Sequence, residues 1–276
     1  MSQELVRGYY AAFGDNEWLR LTRPEGVIEF AVTTYVLNRH LPQHGRVLDI
    51  GGGPGRYSIW LAQRGYRVVL ADLSPNLLEI ARAKIAEAGV WSQIEEVVTC
   101  DACDLSRFGD SSFDTVLCLG PFYHLVDLAD REKAASELVR VLKPNGIACV
   151  AFMPIYTFLR RTLALEDERH HLAQPEFVSR LMNEGVFLND IAGRFSAGYG
   201  VRPQEVAPFL EKHGLATVEL LADTGFAAPH ARHLEELAES DFKTYERVMG
   251  IVASTANDPS LLGASIHLLY VGQKKA

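Results

Sequence analysis

The chain has 276 residues, of which 48% are apolar and 22% are charged, enough for one large domain with a sizeable buried core. Its formal net charge of −8 argues against a nucleic-acid partner, because a phosphate backbone would be repelled. The first residues lack the basic and apolar segments of a signal peptide, and no apolar run approaches the roughly 18 residues of a membrane span. We therefore expect a cytoplasmic protein that makes no membrane contact.

Short apolar runs alternate with helical patterns from residue 46 onward. Runs rich in Val, Leu and Ile predict buried parallel strands at 46–50, 67–71, 95–100, 115–119 and 147–152. Two later strands are predicted at 216–222 and 265–272. This order is typical of an α/β fold, a Rossmann-like doubly wound seven-stranded sheet whose last strand is antiparallel.

Two segments interrupt this alternation, 154–202 after the fifth strand and about 227–263 after the sixth, and both have helical patterns. Parallel strands end at one edge of a sheet, which is where open α/β sheets bind ligands. We therefore predict an N-terminal helical lid at 1–44, a cofactor-binding core at 45–153 and a helical cap insertion at 154–202. Residues 203–276 complete the core sheet and carry the second insertion. Alternatively, these helices extend the core or form the surface of a homodimer.

Four cysteines occur in the first 150 residues. Cys100 and Cys103 have the spacing of a zinc-binding pair, but no second pair accompanies them, so no metal site is predicted. Cys100, Cys118 and Cys149 lie in strand-like runs, which favours buried neutral thiols.

Residues 47–57 read Val-Leu-Asp-Ile-Gly-Gly-Gly-Pro-Gly-Arg-Tyr, which predicts a strand, a glycine-rich turn and the start of a helix. Such a turn brings backbone N–H groups against a small ligand. Asp49 precedes the first glycine by two positions, and its charge disfavours a pyrophosphate and favours an ammonium group. A dinucleotide motif would also need glycine where this chain has Arg56.

The same segment resembles the first motif of class I S-adenosylmethionine-dependent methyltransferases, in particular small-molecule bacterial members. The resemblance implies that Gly51, Gly53 and Gly55 are positions where the backbone approaches the methionine part of the cofactor. It also implies that Asp49 helps to hold this site.

Two further acids follow the next two strands. Asp72, next to Leu73, could accept hydrogen bonds from both ribose hydroxyls. Asp101 and Ala102 resemble the third motif of the family, in which the acid meets the adenine amino group and the next N–H meets the ring. Three acids at three successive strand ends argue against separate roles as helix caps.

The fourth strand runs into Gly-Pro-Phe-Tyr-His-Leu at 120–125, which resembles the family's fourth motif. The resemblance implies backbone contacts from Leu119 and Gly120 to the amino group or the methyl end of the cofactor. Tyr123 and His124 would then lie beside the transferred methyl group, with His124 as the candidate general base. Alternatively, His124 is a packed loop residue and Tyr123 only shapes the pocket.

Aromatic residues near the N-terminus lie at helical spacing, which is more typical of a core than of a cofactor site. In the family, however, an N-terminal helix frequently closes over the cofactor. Tyr10 and Arg20 are the candidate contacts, with Arg20 suited to the methionine carboxylate.

Together these features predict methyl transfer from S-adenosylmethionine to a small organic acceptor, leaving S-adenosylhomocysteine. A protein or tRNA methyltransferase, a non-catalytic protein that binds S-adenosylmethionine, and an NAD-dependent oxidoreductase are the alternatives.

Overall fold

A mixed β-sheet runs through the centre of the computed structural model, which describes Gly8 and residues 14–191 and 193–276. Seven strands form this sheet: β1 (Arg46–Ile50), β2 (Arg67–Asp72), β3 (Ile94–Thr99), β4 (Phe113–Cys118), β5 (Leu142–Pro154), β8 (Leu215–Ala222) and β9 (Leu268–Lys274). Their order is β3-β2-β1-β4-β5-β9-β8, and β9 runs antiparallel to β5 and β8, while the other six strands run in one direction. The predicted doubly wound sheet with an antiparallel last strand is therefore confirmed.

A hairpin that the sequence did not predict interrupts the insertion after β5. Its strands, β6 (Val186–Leu188) and β7 (Ala197–Val201), pair with each other, and β7 also extends the end of β5. β7 contains Gly198 and Gly200, which ordinarily weaken a strand pattern. Here a side chain is excluded, because a Cβ atom at Gly198 would lie 2.8 Å from the ring of Phe158, and one at Gly200 would lie 2.9 Å from the Cα atom of Ile155. The insertion at 154–202 is thus not purely helical.

Helices cover both faces of the sheet. Within the described residues they are α1 (Asp15–Arg20), α2 (Pro24–His40), α3 (Arg56–Ala62), α4 (Pro75–Glu87), α5 (Leu128–Val141), α6 (Ile155–Ala164), α7 (Pro175–Glu184), α8 (Pro203–Lys212), α9 (Ala231–Ser240), α10 (Phe242–Ser254) and α11 (Pro259–Leu262). α4 begins as predicted, with the Ser74 hydroxyl accepting from the Leu77 N–H ahead of a proline at the first helical position. Among the described helices, none combines the length and apolar character that a membrane crossing needs.

Alternate residues of the strands enter opposite layers of the core. Val47 and Val68 face one helical layer, while Leu48 and Val69 face the other, and all four are completely buried. This is the pattern of a sheet buried on both faces. A third, smaller cluster lies within the insertion after β5 and gives it a core of its own: Ile155, Phe158, Phe177, Leu181 and Phe187.

The four cysteines are buried thiols, as predicted for Cys100, Cys118 and Cys149. Burial raises the pKa of Cys100 to about 11 and that of Cys149 to about 12, so these thiols are neutral. They behave as small apolar core residues.

The topology brings several chain segments to one edge of the sheet. The parallel strands all end there, and β9 begins there because it runs in the opposite direction. Side chains that follow β1, β2, β3, β4 and β8, and those that precede β9, therefore converge on this edge.

Candidate active site

A cleft opens at this edge of the sheet, and its empty volume, including the part open to solvent, is about 1080 Å³. Most residues that the sequence singled out line it. They are Arg20, Asp49, Gly51, Gly53, Asp72, Leu73, Asp101, Ala102, Leu119, Gly120, Tyr123 and His124. Tyr10 lies outside the described residues. Gly55 does not line the cleft, because it starts α3 in a left-handed conformation with Leu70 and Ala81 beside it.

The glycine turn leaves one bare face toward the cleft. Gly51 and Gly53 have φ angles of +72° and +53°, which favour glycine. A Cβ atom at Gly51 would lie 2.5 Å from the Pro121 ring, whereas one at Gly53 would meet no atom closer than 3.7 Å. Gly52, which the sequence analysis did not single out, is also required, because its Cβ would lie 2.6 Å from an oxygen of Asp49. Gly51 and Gly52 are therefore tightly packed, and Gly53 faces open space.

Asp72 is fixed by the backbone. Its Oδ2 accepts the N–H of Gly53 at 2.8 Å, and its Oδ1 accepts the N–H of Ser74 at 2.8 Å. Each carboxylate oxygen accepts about two hydrogen bonds, so lone pairs remain on both oxygens for a ligand. Burial raises the pKa of Asp72 to about 6, against the opposing effect of the two N–H donors.

Asp49 lies deeper, at 1% exposure, and accepts the hydroxyl of Ser58 at 2.7 Å. Burial raises its pKa to about 6, and the charge of Asp72 adds to this effect. The cleft thus holds two carboxyl groups whose ionised forms would be stabilised by a hydrogen-bond donor or a positive charge on a ligand.

The far end of the cleft is formed after β3. Asp101 Oδ1 accepts the N–H of Cys103 at 2.9 Å, and Asp101 pairs with Asp104 in an isolated antiparallel bridge. Ala102, buried at 9% exposure, lies at the wall between them. This tight turn presents a backbone segment and a carboxyl group to the cleft.

The other end is formed after β4. The Tyr123 hydroxyl donates to the Leu119 carbonyl at 3.3 Å, and the Tyr123 ring lies beside that of His124, with 4.8 Å between centroids. His124 is also 5.0 Å from the ring of Phe195 in the cap. Burial lowers the pKa of His124 to about 3, so this imidazole is neutral and binds a proton weakly at physiological pH.

Helix α1 lies over the cleft, and Arg20 at its end is surrounded by acids. Its Nε donates to Glu17 at 2.7 Å and its Nη1 donates to Glu29 of α2 at 2.6 Å. Burial opposes the charge of Arg20, but the two carboxylates outweigh it and raise the pKa further. The guanidinium has five N–H donors, so it retains others for a ligand in the cleft.

The structure also brings together three residues that the sequence analysis missed. His267 Nδ1 lies 3.1 Å from Asp223 Oδ2 and 3.5 Å from Glu29 Oε2. One ligand atom from each of these residues lies within 4.8 Å of the others. They line a small pocket of about 230 Å³, including the part open to solvent, that shares Tyr57 and Leu119 with the cleft.

The predicted topology contained a signal for part of this cluster. Asp223 directly follows β8, and His267 directly precedes β9. A parallel strand ends at the ligand-binding edge, and an antiparallel neighbour begins there. Polar side chains at these two positions therefore meet. The apolar run at 265–272 instead predicts a last strand that includes His267. In the structure β9 begins at Leu268, because Ser265 and the His267 N–H are bonded to Asp223.

Comparison with known proteins assigns the fold and the family. A sequence profile described as a methyltransferase domain matches residues 48–150. An uncharacterised protein of Mycobacterium tuberculosis is 35% identical over 210 residues, which cover 70% of this chain and 74% of that protein. A glycine/sarcosine N-methyltransferase of Parasynechococcus marenigrum is 44% identical over 112 residues, and this match spans 40% of the chain and only 39% of the relative.

Other relatives differ in their acceptors. A tRNA 5-carboxymethoxyuridine methyltransferase of Escherichia coli is 32% identical over 123 residues, which cover 44% of this chain and 45% of that enzyme. Among solved structures, the 1,6-didemethyltoxoflavin-N1-methyltransferase of Burkholderia thailandensis, with S-adenosylhomocysteine bound, aligns with a TM-score of 0.60 at 16% identity. The alignment covers 99% of this chain and 88% of that structure and shows the common fold. The cleft, the glycine turn and these matches together show that the chain belongs to the class I S-adenosylmethionine-dependent methyltransferases.

Proposed function

We propose that the protein transfers the methyl group of S-adenosylmethionine to a small organic acceptor. The observation that supports this proposal most strongly is that the polar cluster of Glu29, Asp223 and His267, next to the cleft, is largely buried. The side chains of Glu29 and His267 are 13% and 14% exposed, and that of Asp223 is 2% exposed. Their pocket, about 230 Å³ including the part open to solvent, leaves room for only about one water-sized group. Only the reacting group of an acceptor fits such a space, and a narrow, buried site of this kind favours a small molecule.

The cofactor would lie along the cleft. Asp72 has lone pairs for the two ribose hydroxyls, and Ala102 with Asp101 would border the adenine. The open face of Gly53 admits the methionine portion, whose ammonium group is attracted toward Asp49 and whose carboxylate is suited to Arg20. When bound, S-adenosylmethionine supplies an electrophilic methyl group.

In this arrangement the chain contributes position more than covalent chemistry. Methyl transfer is an in-line displacement, and holding two reactants in line can be worth ~7–11 kcal/mol in favourable cases. Tyr123 and His124 are packed side chains at the end of the cleft nearest the small pocket, so we assign them the task of shaping the acceptor chamber. The low pKa of His124 disfavours it as a general base.

A macromolecular acceptor is the second candidate, because one relative is a tRNA methyltransferase. The charges argue against it for this chain. The formal net charge is −8, so phosphate groups would be repelled on average.

Isotope transfer tests the proposal. The protein is incubated with S-adenosylmethionine carrying a labelled methyl group and with a bacterial extract separated by ultrafiltration into low-mass and macromolecular fractions. We expect label in a low-mass product. Label in RNA or protein alone would support the second candidate. Binding of the cofactor without label in either fraction would indicate a non-catalytic protein.

A further inference from the structure

We propose that His267, oriented by Asp223, is the general base of the reaction and that the acceptor is a neutral hydroxyl or ring N–H group. The inference rests on the proposed function, since it names the class of acceptor that the same site would take.

Asp223 is held firmly enough to orient its partner. Its Oδ1 accepts from the Ser265 hydroxyl at 2.7 Å, from the His267 backbone N–H at 3.0 Å and from the Thr224 hydroxyl at 3.2 Å. Its Oδ2 faces His267 Nδ1 at 3.1 Å. A carboxylate with this many donors has one position and one orientation.

The same contacts fix the tautomer of the imidazole. Nδ1 lies near the carboxylates of Asp223 and Glu29, which only accept hydrogen bonds when ionised. Nδ1 therefore carries the proton, and Nε2 of the neutral ring carries the lone pair that can accept one. In the described part of the chain, Nε2 has no hydrogen-bond partner that would occupy this lone pair.

The imidazole lies close to the methyl end of the cofactor cleft. Its ring centroid is 5.4 Å from that of Tyr123, which lines the cleft. His267 also lines the small pocket, whose walls include Leu119 and Tyr57 of the cleft. The reacting group of an acceptor, placed where this pocket meets the cleft, would lie between His267 and the site of methyl transfer.

The charges around His267 suit it to this role. Burial alone would lower its pKa, but Glu29 and Asp223 outweigh burial and the smaller opposing effect of Arg20, so the pKa is raised. The neighbouring aromatic groups are Tyr123, whose pKa is raised well above its usual value by burial, and His124, which is neutral. His267 is thus a stronger base than His124, and the two carboxylates disfavour an anionic acceptor.

The reaction balances without a further reagent. A bond forms from the acceptor oxygen or nitrogen to the methyl carbon while the carbon–sulfur bond breaks. The electron pair of that bond stays on sulfur, which leaves as the neutral thioether of S-adenosylhomocysteine. The acceptor proton passes to Nε2 of His267 and then to solvent.

The same three side chains could be read as metal ligands, but the contacts favour the proton-transfer role. Arg20 Nη1 lies 2.6 Å from Glu29 Oε2, so the positive charge of the guanidinium already occupies the position that a metal ion would need at that carboxylate. A metal ion would also have to displace the Nδ1 proton that Asp223 accepts.

Two measurements test the proposal. Nitrogen-15 NMR of the complex with S-adenosylhomocysteine, with the signal assigned by its loss in His267→Gln, should show a neutral Nδ1–H tautomer that titrates above pH 6.5. Label transfer with the low-mass extract should fall about 10²–10⁴-fold in His267→Gln, with loss of the rise in rate with pH, while affinity for S-adenosylhomocysteine stays within about twofold.

The exposed His44, at the opposite edge of the sheet, provides the matched control His44→Gln, which should leave the transfer rate and pH profile unchanged. A neutral Nε2–H tautomer, or a His267→Gln variant that keeps both the rate and the pH profile, would overturn the proposal. Absence of label from every low-mass compound would instead overturn the proposed function, and the NMR result would still decide the tautomer.

Discussion

Arg56 Nε and Nη2 donate hydrogen bonds of 3.0 and 2.9 Å to the Trp18 carbonyl, and the guanidinium carbon lies 4.1 Å from the indole centroid. Arg56 is the first residue of α3, directly after the glycine turn, and Trp18 belongs to α1 over the cleft. The residue that distinguishes this turn from a dinucleotide motif therefore also joins the covering helix to the cofactor site.

Arg56→Ala should weaken binding of S-adenosylhomocysteine about tenfold, equivalent to about 1.4 kcal/mol, because α1 loses its two charged hydrogen bonds to the turn. Isothermal titration calorimetry measures this directly. Arg23→Ala is the control, since Arg23 is exposed and makes no side-chain hydrogen bond to a described residue. Equal affinity of Arg56→Ala and the wild type would show that α1 is not needed for binding.

Asp72→Ala should weaken the same complex by roughly 1.5–3 kcal/mol, because a charged hydrogen-bond partner of the ribose is lost. Asp110→Ala removes a carboxylate that is 78% exposed and should have no effect on affinity. An affinity within about twofold of the wild type for Asp72→Ala would refute the ribose assignment.

Cofactor affinity should depend on pH through the two buried carboxyls. The pKa values of Asp49 and Asp72 are both raised to about 6 without ligand, so each group becomes protonated as the pH falls through 6. The ligand favours the ionised forms, so affinity should rise with pH and level off above about 7. A carboxyl group with a pKa of about 6 is ionised about ten times less often at pH 5 than at pH 7. Each of the two groups that must be ionised to bind the ligand therefore weakens binding about tenfold at pH 5 relative to pH 7. Calorimetry at both values tests this, and a flat profile would contradict it.

Two glycines of the turn should respond differently to substitution. In Gly53→Ala the new Cβ atom meets no close atom of the protein. The positive φ angle at this position should nevertheless lower the free energy of unfolding by roughly 1–2 kcal/mol, because alanine adopts it less readily than glycine. The added methyl group should also block the cofactor. Gly51→Ala adds a clash with the Pro121 ring, which should cost a further ~1–3 kcal/mol. Urea unfolding of the ligand-free variants compares them. Equal stability would mean that Pro121 moves aside without cost.

The sequence predicted the central sheet and the acids at its edge, because both depend on local hydrophobic patterns and on the order of the strands. The runs around Val47 and Val68 identified the sheet, and the acids after successive strands, such as Asp72, fell on its ligand-binding edge. The Asp223–His267 pair was missed because it joins residues 44 positions apart across β8 and β9. Gly198 and Gly200 concealed β7, because two of the groups that exclude a side chain there, Phe158 and the Ile155 backbone, are at least 40 positions away in the sequence.

A crystal structure with S-adenosylhomocysteine tests the central claim most directly, because the sulfur atom marks the position from which the methyl group leaves. We predict ribose hydroxyls on Asp72, adenine beside Ala102, and the sulfur at the Leu119–Tyr123 end of the cleft, facing the pocket of His267. A ligand whose ribose does not contact Asp72, or whose sulfur faces away from that pocket, would contradict the account.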